Sequence, residues 1–212
     1  MLMRASGFYF FFLLTVLFSC ADDKPEPTPN FDKIDDSSTR VRTERDLNPY
    51  ATVDISPMDM SYYPVEYPKL KMSKVTTDPP VARVVYSRPH LGGRSLFTDI
   101  LNYDSTWRLG ANEATEIEFY RDVTIQAKPV KAGRYILYCT PGKESWTLVL
   151  NSNIDTWGLQ QDPAADIARF AIPVTTNQRR IEYFTMIFEK SATGANLVMA
   201  WDNLEARLPI EF

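Results

Sequence analysis

The chain has 212 residues, 44% of them apolar and 24% charged, which is ordinary globular composition and enough for one domain of roughly 100–200 residues. Lys and Arg number 23 against 27 Asp and Glu, a net charge of −4, so no basic excess exists to drive nucleic-acid binding by counterion release. One His and two Cys exclude zinc fingers, multi-histidine metal centres and disulfide-dense folds, each of which needs several such ligands. No metal and no cofactor is expected.

Residues 1–19 carry one charge, Arg4, ahead of the apolar run Phe8 to Phe18. A basic start, a short apolar stretch and a small residue before the cut describe a secretory leader, and the run is too short to span a bilayer, which needs ~20 apolar residues. Its end, Leu17-Phe18-Ser19-Cys20, resembles the lipobox of bacterial lipoproteins, where the cysteine is acylated and becomes the new N-terminus. Cys20 is therefore the expected lipidation site, with acyl chains holding the protein on a membrane without spanning it. The alternative is an ordinary leader with an incidental cysteine. Ala21-Asp22-Asp23-Lys24 looks like the acidic signals that send Bacteroidetes lipoproteins to the outer face of the outer membrane; a plain solvated tether fits it equally.

Residues 20–68 hold seven of the fifteen prolines, and no glycine occurs between Gly7 and Gly92. Such chain favours polyproline II and acts as a spacer. Asp22 to Asn48 has no hydrophobic periodicity and reads as disordered. Tyr50 to Tyr67, rich in Tyr and Met, is expected to drape over the domain that follows.

From Lys69 to Phe212 the pattern is short β-rich runs between turn residues. Val81 to Tyr86 comes first; Ile117 and Phe119 alternate with Glu116 and Glu118, and Val123 and Ile125 follow across an Arg121-Asp122 turn. Then come runs centred on Tyr135 to Cys139, Trp146 to Leu150, Ala168 to Val174, Phe184 to Phe188 and Leu197 to Trp201. Period-2 alternation with turns every 8–12 residues or so predicts an all-β domain, an antiparallel β-sandwich or jelly roll. One short helix is expected, at Asp162 to Ile167, with Pro163 suited to its first turn.

Tyr86-Ser87-Arg88-Pro89, Gly93-Arg94, Trp107-Arg108-Leu109-Gly110-Ala111-Asn112-Glu113-Ala114-Thr115, Ala132-Gly133-Arg134-Tyr135, Pro141 to Trp146 and Trp157-Gly158 together resemble the domain of unknown function 2911 family, over roughly Val81 to Ile210. That family is common among secreted and lipid-anchored Bacteroidetes proteins. The resemblance implies an exported β-rich domain and brings no established activity with it. Asp99 to Asp104 stands where the family usually has a Gly/Pro-containing loop, and Arg134 where Thr is usual.

The densest polar cluster is Trp107 to Thr115. Arg108, Asn112 and Glu113 bring a guanidinium fork, an amide and a carboxylate together around Gly110, where a positive φ would be tolerated. Beside an aromatic ring this trio could hold a sugar or a carboxylated ligand; alternatively an Arg108–Glu113 ion pair clasps the loop to the sheet. Arg88, Arg94 and Trp107 complete the candidate binding face. His90, on a loop near Ser87, is the sole candidate base for a serine nucleophile, but proximity in sequence is not triad geometry, and His90 reads as an exposed loop residue. Cys139 reads as a small core residue rather than a reactive thiol. Trp146 and Trp157 flank Asn151 to Asp155, either a carbohydrate platform or a hairpin end, and Asp155, Asp162 and Asp166 lack the spacing of a calcium loop.

The function expected is that of a cell-envelope lipoprotein of the outer membrane, non-catalytic, binding a glycan or small anionic ligand or serving as structure. The alternative is a metal-independent hydrolase using Glu113 as general base and Arg108 to hold an anionic group. A pocket where Arg108, Asn112 and Glu113 converge with a second carboxylate would favour the hydrolase.

Overall fold

The computed structural model describes residues 56–212, all inside a compact unit that runs Asn48–Phe212. The leader, Cys20 and the Asp22 to Asn48 stretch lie outside the described residues. The elements are β1 (Met58–Tyr63), α1 (Tyr67–Met72), β2 (Ala82–Ser87), β3 (Glu116–Phe119), β4 (Val123–Ile125), β5 (Lys128–Val130), β6 (Gly133–Pro141), β7 (Ser145–Asn151), β8 (Asp166–Lys190) and β9 (Gly194–Glu211). The domain is all-β and antiparallel. Alternation fixes which side chains face inward: in β3, Ile117 and Phe119 are buried while Glu116 and Glu118 are half-exposed, and in β2 Val84 and Tyr86 are buried while Arg83 and Val85 stay partly in water.

The strands form one hydrogen-bonded succession, β1-β2-β3-β6-β7-β8-β9-β4-β5. Its two halves share the long β8, which pairs with β7 as far as Pro173 and with β9 from Val174 onward. The halves then fold face to face. Tyr86 of β2 lies edge-on to Phe184 of β8, with ring centroids 5.8 Å apart, and Tyr63 of β1 packs on Phe188. Trp146, Trp201, Phe119 and Phe170 are among the largest wholly buried side chains, so the core between the layers is aromatic.

The second half of β8 would present a bare edge to the β2 side, a liability that folded sheets normally cover. Tyr86 covers it. Its hydroxyl accepts from Met186 N at 2.8 Å and donates to Met186 O at 3.2 Å. Further along, Leu91 N donates to Glu182 O and Phe184 N to Pro89 O, and Ser61 Oγ donates to Met186 O. Burial pushes the Tyr86 phenol up to about 12, so it stays a neutral donor and acceptor across the physiological range.

Four features differ from the sequence expectations. Met58–Tyr63 is an edge strand paired with β2, not a drape; hydrogen bonding to an existing strand outweighs its weak alternation. β3 and β4 do not form a hairpin across Arg121-Asp122: β3 pairs with β2 and β6, β4 with β5 and β9. Asp162 to Ile167 is a single 3₁₀ turn, Pro163–Ala165, capped by Asp162 accepting from Ala164 N, after which Asp166 opens β8. Helical turns occur instead at Tyr67–Met72 and, in π form, at Leu96–Ile100, both too short for a hydrophobic stripe to register.

Candidate functional site

The segment Trp107 to Thr115 leaves the sheet and returns to it, and hydrogen bonds hold it at every turn. Trp107 and Cys139 exchange backbone hydrogen bonds of 2.7 and 2.8 Å, joining the loop's start to β6. The Trp107 ring is buried, edge-on to Trp146 and stacked at 5.6 Å on Trp201, and its Nε1 donates to Gly110 O. Ser87, wholly buried at the end of β2, accepts from both Ala111 N at 2.7 Å and Asn112 N at 3.0 Å. Thr115 Oγ1 donates to Leu109 O at 2.7 Å, also without exposure.

Gly110 is required here by close approach: a Cβ would lie 2.7 Å from Ser87 Oγ. The positive φ expected at Gly110 belongs instead to Leu109, at 54°. Gly158 is fixed in the same manner, with φ +76° and a would-be Cβ 2.7 Å from Ala114 Cβ.

Arg108 does not form the expected ion pair with Glu113. Its guanidinium donates to Ala111 O and, at 3.4 Å, to Trp157 O, tying the loop to the Trp157-Gly158 turn. Backbone carbonyls thus replace the carboxylate as the clasp. Burial lowers the Arg108 pKa, and Glu113 only partly offsets it; a charge held by dipoles keeps an attraction for anions that a paired charge has lost. Glu113 is exposed and makes no ion pair with the described residues.

Beside Arg108 opens a cleft of about 360 Å³, lined among others by Pro89, Ile100, Leu101, Trp107, Leu159 and Trp201. This is at the small end of ligand-site volumes. The buried Trp107 and Trp201 line it together with Asn102, Ser105 and Thr106, and none of the described residues lining it is a carboxylate. Trp157, 55% exposed, precedes the lining pair Gly158 and Leu159.

The other candidate residues do not converge on it. Asn112 Nδ2 donates to Ser56 O at 3.0 Å. Arg88 bonds Phe184 O and Thr185 Oγ1 and pairs with Asp59 at 3.3 Å, stitching β1 to β8. Arg94 donates to the carbonyls of His90 and Leu91 in its own loop. Only Trp107 and Arg108 of the six line the cleft, so the three-residue convergence expected of a hydrolase is not formed. Ser87 is sealed under the loop it anchors, so it cannot be a nucleophile in this arrangement. Burial pushes the Cys139 thiol well up, as befits a core residue.

Trp146 is core and Trp157 surface, so the two do not make a platform. Asp155 meets Arg134, Asp162 caps its turn and Asp166 accepts from Tyr138 and Asn151: three aspartates in three separate roles. No cluster of three metal-ligating side chains occurs among the described residues. Asn102, Ser105 and Thr106 were missed in the sequence, where an Asn-x-x-Ser-Thr run in a loop carries no signal of its own.

The sequence profile of the family described as protein of unknown function (DUF2911) matches residues 68–210. The chain belongs to the DUF2911 family. No curated protein and no solved structure matches it. The match spans the candidate loop, the cleft, the strands β2 to β8 and all but the last residue of β9.

Proposed function

We propose that this DUF2911 protein is a cell-envelope lipoprotein whose β domain is a non-catalytic binding module for a small acidic ligand, a carboxylate carried on a sugar ring or similar scaffold. The observation that carries the binding reading is Arg108. A half-buried guanidinium in the wall of an apolar-floored cleft, held by two carbonyl oxygens and by no carboxylate, is free to give its remaining N–H groups to an anion. Asn102, Ser105 and Thr106 supply hydroxyl and amide partners along the same cleft, and apolar walls suit the ring face of a ligand.

The test is calorimetry and tryptophan fluorescence with glucuronate, galacturonate, glucose and acetate. Uronates are expected to bind most tightly. Arg108→Met should abolish that binding while lowering stability by only about 1–2 kcal/mol, the cost of losing two hydrogen bonds to carbonyls. Binding that survives Arg108→Met, or no response to any acid, defeats the reading. The anchor rests on Leu17 to Cys20. Labelling with a fatty-acid analogue is expected to mark the full chain and not Cys20→Ala, and equal labelling of both would end that part of the proposal. Attachment to the outer membrane, facing outward, is what Asp22 and Asp23 support.

A further inference from the structure

Pro64 to Thr77 forms a finger at the end of β1 that buries no large side chain. Its own hydrogen bonds hold it: Tyr67 N to Pro64 O, Leu70 N to Glu66 O, Ser73 N to Lys69 O and Val75 N to Leu70 O, with Lys71 Nζ on Thr77 O and Tyr67 Oη on Asp78 O closing the base. The side chains of Val65, Met72 and Val75 make none of those bonds. Met72 is 80% exposed, Val75 71% and Val65 56%, so three large apolar side chains stand in water within eleven residues. An exposed apolar patch on a folded domain marks a contact surface.

The flanking chemistry identifies the contact. The finger carries Lys69, Lys71 and Lys74 against Glu66 alone, a net +2 on a chain whose total is −4. Tyr62 and Tyr67, ring centroids 5.4 Å apart, sit at its base. Apolar tips, lysines whose heads stay in water, and tyrosines behind them are the composition of a membrane interface.

We infer that the finger docks on an anionic phospholipid surface, inserting Met72 and Val75 between headgroups while Lys71 and Lys74 meet the phosphates. A protein groove could take the apolar tips as well, but the lysines give an anionic bilayer the better charge match. The inference rests on the proposed lipid anchor only to bring the finger near a bilayer. Its effect would be to orient the domain against the membrane.

The test uses the chain Ala21–Phe212, which lacks leader and Cys20 and keeps the whole core cluster, Ala82 to Ile210. It is mixed with phosphatidylcholine vesicles with and without phosphatidylglycerol and sedimented. Binding is expected to favour the anionic vesicles several-fold and to weaken as salt is raised. Met72→Ser with Val75→Ser should lower partitioning about tenfold or more, and Lys74→Gln about fivefold, with melting temperature unchanged in both variants. Equal partitioning to both vesicles, or indifference to Met72→Ser with Val75→Ser or to Lys74→Gln, overturns the inference. So does a concentration-dependent dimer that Met72→Ser with Val75→Ser abolishes, which would assign the finger to a second copy of the chain. Loss of vesicle binding alongside intact Cys20 labelling would refute the finger alone, and the reverse result the anchor alone.

Discussion

The loop Trp107 to Thr115 and the finger Pro64 to Thr77 are both short irregular connections, and they solve opposite problems. The loop buries Trp107, Leu109, Ala114 and Thr115 and must therefore give its backbone partners inside the protein: Ser87, Thr115 and Cys139 provide them. The finger buries nothing of size, so water can serve its polar groups, and local turns suffice to shape it. A run crowded with Arg, Asn and Glu is thus mostly a lock, while a run that looks like ordinary surface chain displays apolar groups. Polar density in a sequence reports the demand for hydrogen bonds as readily as it reports chemistry.

That contrast breaks first at Trp107. Replacing it by Ala removes a ring packed on Trp146, Trp201 and Phe184 and should cost about 3–5 kcal/mol, read as a lowered midpoint in urea. A cost below about 1 kcal/mol would mean that the loop is not part of the core. Next comes Ser87→Ala, which strands the amides of Ala111 and Asn112 under the loop. About 2–4 kcal/mol is expected from two such unsatisfied groups. Ser73, whose hydroxyl also bonds backbone but in the open finger, should lose only a few tenths of a kcal/mol as Ser73→Ala.

How much was readable follows the same division. Strands with clean alternation, such as Glu116–Phe119 and Ser145–Asn151, were legible because period 2 and burial coincide. Pairing was not: nothing in Arg121-Asp122 says that β3 and β4 part company, since register is decided by which faces meet in three dimensions. The long β8 was seen as two strands because its middle, Thr175 to Arg180, is polar, and that stretch is where its pairing with β9 shifts register. Trp107 and Arg108 were legible as parts of a special loop, yet the roles of Gly110 and Arg108 depend on Ser87 and Trp157, which lie 23 and 49 residues away in sequence.

The comparison sharpens further at low pH. Asp166 is a core-side lock of the same kind as Ser87: it accepts from Tyr138 Oη at 2.8 Å and Asn151 Nδ2 at 2.9 Å and pairs with Arg169. Burial alone would raise its pKa; those hydrogen bonds outweigh it and hold the carboxyl below the usual range. Its contribution is then complete above the unfolded value near ~3.9 and is lost as pH falls through the lower folded value. Asp166→Asn should cost about 1–3 kcal/mol near neutrality and make the acid limb itself, below about pH 4, shallower. An unchanged acid limb would show that Asp166 is not what titrates there.

The smallest effect expected is also the one that most directly separates the two connections. Met72 and Val75 already stand in water in the folded domain, so Met72→Ser with Val75→Ser removes almost no area that folding buries. Hydrophobic stabilisation follows buried area, and substitutions at such positions stay within about 0.5 kcal/mol. Urea denaturation of the double variant in the absence of lipid should therefore superimpose on that of the parent, in slope as well as midpoint. A loss above about 1 kcal/mol would mean that the finger packs in solution on something the chain itself supplies. Its apolar groups would then be core, as those of the Trp107 loop are, and no membrane would be needed to account for them.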